Sequence, residues 1–313
     1  MPERLFLFLQ LEFPWELGPP DGRYLLRTRD APTPDAQGAQ PERVVVLNTL
    51  SAPRRVGSGL SAIGLPGGGS SRRARRSRDT TPDPAPVATA RATIIDPVSL
   101  SAERQAQAWL AEIDAERETQ AAVAVLNRVL FAHRIASADP YTHEIFPAQA
   151  LVIRAGWGEG EQLADGHWLH ARELPWTHSS RARRRVAALR PQERLAQLLG
   201  ARGEELLCEE LTLRARLDLD QGRLPHSAIE LDCALSAALS ELGGEAHPSL
   251  APRLDELRSL HTGVTAAARA ALSVNATDPK DMPEELEEAA IRHALERLEA
   301  TLRARAAEGF TAH

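Results

Sequence analysis

The chain is short of the residues that announce most kinds of chemistry. Its 313 residues include two cysteines, Cys208 and Cys233, too few for a disulfide framework. Both fall in segments of helical periodicity, where free thiols are expected to be buried. Lys280 is the only lysine, so 36 of the 37 basic residues are arginine, a bias that points to a GC-rich bacterial genome more than to chemistry. No stretch approaches the roughly 18 consecutive apolar residues of a membrane span. The opening run "MPERLFLFLQLEF" has no basic leader and is broken by Gln10 and Glu12, so no signal peptide is expected. A net charge of −6 argues against a chain devoted to nucleic acid. Of the 13 aromatic residues, none lies between Thr177 and Gly309, which leaves that stretch to build its core from aliphatic side chains. Motifs are missing too: there is no G-x-S-x-G, no cysteine beside a histidine and no paired carboxylates in a catalytic frame. What remains is a cytoplasmic globular chain long enough for two or three domains, with no cofactor called for.

What is present begins with alternation. Leu5, Leu7, Leu9, Leu11, Phe13, Trp15 and Leu17 share one face of an expected strand over 4–17, while Gln10 and Glu12 share the other. The turn "GPPDG" separates it from a second strand at 23–29, and "RVVVLNTL" at 43–50 reads as a third, central one. "VATARATII" at 87–95 reads as a fourth that rejoins the same sheet. The intervening residues, about 52–86, are rich in Gly, Ser, Pro and Arg without periodicity, the composition of a flexible loop.

Neither glycine nor proline interrupts 102–139, which predicts one helix of roughly 35 residues with a polar break at "DAERETQ". An aromatic-rich α/β connecting segment follows to about residue 178. Breakers then divide the remainder into helices near 180–200, 203–220, 225–242, 248–273 and 283–308. The expected fold class is α+β, with a small N-terminal antiparallel sheet (1–100), one long helix with the connecting segment (101–178), and a mainly helical C-terminal region (179–313).

Within that region, "LRARLDLDQGRLPHSAIELDCALSAAL" carries a "QGR" turn and a small, bulky, small series at Ser227, Leu231 and Ala234. These features resemble a tetratricopeptide helical hairpin over about 40 residues. The resemblance implies contact with a protein partner. Arg214 and Asp218 depart from the family's pattern, no second copy stands at its 34-residue spacing, and a generic antiparallel hairpin is the alternative.

Three sets of residues are candidates for a site. Tyr141, Trp157, Trp168 and Trp176 are enough aromatic surface to line a ligand pocket or to build a core. If the segment is helical, His167 and His170 share a face that Glu173 continues, a possible metal-ligand set. Arg72, Arg73, Arg75, Arg76 and Arg78 on the loop read first as the charges of a solvated spacer; the alternatives are docking on acidic helices of this chain or of a partner, or neutralising phosphates, although no aromatic is interleaved for base stacking. "GWGEGEQ" with Gly156, Gly158 and Gly160 reads as a shaped turn, because Glu159 and Glu161 would repel a phosphate. The expected function is therefore that of a non-enzymatic adaptor or scaffold acting through the helical region. The alternatives are a nucleic-acid-associated regulator using the arginine loop and a small-ligand or metal binder centred on 141–178.

Overall fold

The computed structural model describes residues 4–27, 41–50, 89–176, 191–200, 205–244, 250–273 and 287–309. The chain divides into two compact units, Met1–Trp176 and Thr177–His313, each with its own core.

The first unit is an antiparallel sheet of six strands: β1 Leu5–Phe13, β2 Gly22–Leu26, β3 Arg43–Leu50, β4 Thr89–Ile95, β5 Val152–Glu159 and β6 His170–Glu173. Their order across the sheet is β2-β3-β4-β1-β5-β6. The strand signal at 87–95 does rejoin the sheet, with β4 lying between β3 and β1. β1 ends at Phe13, short of the expected 17, because Pro14 has no N–H to continue the ladder. The aromatic-rich segment supplies β5 and β6 to this same sheet, with β5 pairing with β1 from Leu5 to Glu12.

Alternation decides what each strand buries. Leu5, Leu9, Leu11 and Phe13 face a core closed by two helices, α1 (Glu103–Glu112) and α2 (Ala115–Ser137), through Ala106, Leu110, Val123, Leu126 and Leu130. The expected single helix is thus two. Ile113 turns extended, and Asp114 becomes an N-cap whose carboxylate accepts the Arg117 N–H at 3.1 Å, so the polar run that interrupts the stripe is a helix start. Buried Asn127 on α2 ties down the segment before β5, donating to the Ile145 carbonyl (3.0 Å) and accepting from the Ile145 N–H (2.8 Å).

The other face of the sheet is covered as well. Phe8, Val44 and Ile95 pack beneath Leu163, which sits on a short 3-10 turn at Glu161–Asp165. Gly156 and Gly158 make this possible. A Cβ on Gly156 would strike the His170 carbonyl, and one on Gly158 would overlap Leu163. Gly156 and Gly158 are thus a packing device within β5, where a shaped turn was expected, and only Gly160, at φ +61°, lies at the turn itself.

The second unit is helical: α3 Pro191–Leu199, α4 Leu207–Asp220, α5 Leu224–Glu241, α6 Ala251–Ser273 and α7 Glu288–Gly309. The helix ends follow the glycine breakers closely, but the last helix starts at Glu288, so Pro283 is not in its first turn as expected, and the expected helix near 180–200 is described only from Pro191, its earlier part lying outside the described residues. Helices α4 to α7 enclose a core of leucine, alanine, isoleucine and valine that also takes in Cys208. Gly222, at φ +70°, makes the α4–α5 turn in the left-handed region that glycine tolerates. Polar clamps join the helices: Arg216–Glu299 at 2.7 Å between α4 and α7, and Arg297–Glu256 at 2.6 Å between α7 and α6. Among the described residues no helix is long and apolar enough to cross a membrane.

Candidate functional site

The aromatic candidates do not converge. Trp157 and Leu7 pair across β5 and β1 on the helix-covered face, where Trp157 is 3% exposed. Trp168 packs on the opposite face, its ring 5.7 Å from that of Phe8 and 5.9 Å from the Arg154 guanidinium. The sheet itself stands between them. Trp176 is half-buried on the first face, edge-on to Phe146 at 6.0 Å, and Tyr141 stands 82% exposed after α2. These rings are core and surface pieces, and they line no shared pocket.

The histidine set separates for the same reason. His170–Glu173 is a strand, so residues three apart point to opposite faces. The His170 ring stacks on Trp157 at 4.7 Å, whereas Glu173 lies over Arg154 at 3.5 Å on the other side. His167 is exposed beside Trp168. The metal-ligand spacing held only for a helix. Among the described residues no three His, Cys, Asp or Glu side chains gather to hold a metal.

The second face carries a polar network that strand alternation brings together from three strands. Glu12 accepts from Arg91 at 2.9 Å and from Arg154 at 3.0 Å, and Gln10 beside it donates to Thr93 at 2.9 Å. Asn48 and Arg91 also reach the Ala164 carbonyl, which fastens the 161–165 turn. The arginines are neutralised within the fold, so the network holds a cover in place and leaves no cradle for an anion. Next to it, a half-open pocket of about 340 Å³ lies between the 16–21 turn and the ends of β3 and β4. Its Asp21 accepts from Thr49 at 2.8 Å.

Sequence reading missed a serine, histidine and aspartate that meet in the helical unit. Asp232 and Ser236 on α5 face His261 and Thr265 on α6, each pair spaced i, i+4. That double spacing is the signal that would have found them. Asp232 and Ser236 both approach the same ring nitrogen, Nε2, at 3.0 and 3.1 Å. A catalytic relay needs the acid on one nitrogen and the hydroxyl on the other. Here they compete for one, so the group clamps α5 to α6. Neighbouring Cys233 is exposed, contrary to expectation, because it points away from the bundle core. Cys208 is buried, and burial first, then Glu241, pushes its thiol up to about 12, out of the reactive range.

One surface in this unit is apolar without being covered. The inner face of α4 presents Cys208, Thr212, Ala215 and Leu219 to the core. Its outward leucines are Leu207 (59% exposed), Leu213 (67%) and Leu217 (41%). Near them α3 contributes no buried side chain, leaves Leu195 and Leu199 exposed, and is tied to α4 by Arg194–Glu209 at 3.2 Å. Arg72, Arg73, Arg75, Arg76 and Arg78 lie outside the described residues, as do Arg181, Arg183, Arg184 and Arg185, a further basic run in the sequence. Comparison with protein-family models, with curated proteins and with solved structures finds no match.

Proposed function

We propose that this chain is a cytoplasmic interaction protein, an adaptor or scaffold, that binds a protein partner through the outward face of α4. The observation that carries the reading is the pair Leu213 and Leu217, with Leu207 at the edge of the same surface, exposed on a helix whose opposite face already fills the core. An apolar row of this kind is spare to folding and costs solubility, which fits a surface that another protein covers. The hairpin around it supports the reading. Ser227, Leu231 and Ala234 all point inward between α4 and α5, the small, bulky, small series on which the tetratricopeptide resemblance rests.

The test uses the full chain, tagged, in a lysate of its source. A protein recovered in stoichiometric amount with the wild type is expected to be lost with Leu213→Glu/Leu217→Glu, while helical circular dichroism stays unchanged. Equal recovery by both forms, or no partner with either, a second copy of the chain included, would overturn the reading.

A further inference from the structure

We infer that the outward face of α4 is a self-association surface on which two copies of this chain pair antiparallel, about a two-fold axis level with Thr212. This deepens the interaction reading above and rests on it. An isologous contact requires a patch that is complementary to itself, and the spacing on α4 meets that condition. At about 100° per residue, Glu210, Leu213 and Leu217 fall opposite the core face, with Leu207 and Arg214 along one edge. In an antiparallel pair centred on Thr212, a residue n places before it in one copy stands level with the residue n places after it in the other. Glu210 then meets Arg214 of the second copy, Leu207 meets Leu217, and the two Leu213 side chains meet near the axis.

The charges select this register. Glu210 and Arg214 lie on the same edge of the leucine row, so both cross-pairs form at once. Within one copy they already make an ion pair of 2.9 Å, each side chain 58% exposed, and the second copy would extend it to four alternating charges. Centring the axis on Glu210 sets glutamate against glutamate, and centring it on Arg214 sets arginine against arginine. One helix face is a small interface, so the dimer is expected to be weak and concentration-dependent.

Sedimentation of the full chain from about 1 to 200 μM should show a monomer–dimer equilibrium in the range of small interfaces. Leu213→Glu should leave a folded monomer. Glu210→Arg and Arg214→Glu, each alone, should self-associate at least about tenfold more weakly, since each sets like charges across the axis. Mixed in equal amounts, the two variants should pair with one another, because one copy then presents only arginines and the other only glutamates. That rescue separates an interface from a mere loss of helix stability. A wild type that stays monomeric throughout, or dimers indifferent to all three substitutions, would overturn the inference. If the chain stays monomeric and yet loses a lysate partner with Leu213→Glu/Leu217→Glu, the self-association falls while the interaction reading stands.

Discussion

Glu12 sits in a strand whose odd-numbered residues are leucines and phenylalanine, and its own side chain turns to the opposite layer. There it is only 14% exposed and holds Arg91 and Arg154 from the two neighbouring strands. In the bare alternation it reads as a solvent-facing acid, and only the covering 161–165 turn makes it a buried one. Removing one partner of a mostly buried ion pair leaves the other charge uncompensated. Glu12→Ala is therefore expected to cost about 3–5 kcal/mol, read as a lower urea midpoint of the tryptophan signal. A shift of less than about 1 kcal/mol would mean that water already screens these arginines.

Helix ends show the same dependence on distant residues. Asp114 caps α2 from next door in sequence, but α4 is capped from α5. The Glu241 carboxylate accepts the Leu207 N–H at 3.0 Å and the Cys208 N–H at 3.1 Å. Desolvation pushes the Glu241 carboxyl up. The hydrogen bonds from the Cys208 thiol and from the two N–H groups outweigh it and hold the carboxyl below its ordinary value. A depressed acid contributes stability that is complete above the ordinary carboxylate range and is lost as pH falls through its lowered value. Asp220 acts in the opposite sense, since burial raises its carboxyl despite Arg216 and Arg292. Thermal melts followed at 222 nm between about pH 6 and 3 should show the helical unit losing stability on acidification. The loss should be shallower in Glu241→Gln, and an identical slope would remove Glu241 from this account.

Each unit closes its own core at the scale of the whole molecule, with the aromatic rings in the sheet unit and the aliphatic packing in the bundle. Residues 1–176 and 177–313, expressed separately, are expected to fold and to melt cooperatively. The cysteines supply a readout for the second fragment. Cys233 should react at once with a thiol reagent and Cys208 only on unfolding, giving one labelled thiol per native chain and two per denatured chain. Two rapid labels would show that the isolated bundle is not closed.

The strands at 43–50 and 87–95, and the ends of the helices after residue 205, were legible in the sequence because strand alternation, helical period and glycine breakers are local, whereas the helix starts expected at 203 and 283 fall later, at Leu207 and Glu288. The α+β class followed from them. The sequence could not say which face of the sheet a second layer would cover. Trp157 and Trp168, eleven residues apart, ended on opposite sides because β5 and β6 joined the sheet and the turn between them folded across it. His170 and Glu173 parted because a strand formed where a helix was assumed. The leucine row on α4 was visible as letters, but the helix has leucines all round. Only the bundle decided that Leu219 lies inside and Leu213 outside, because burial depends on which neighbours a face meets, and those neighbours come from helices dozens of residues away.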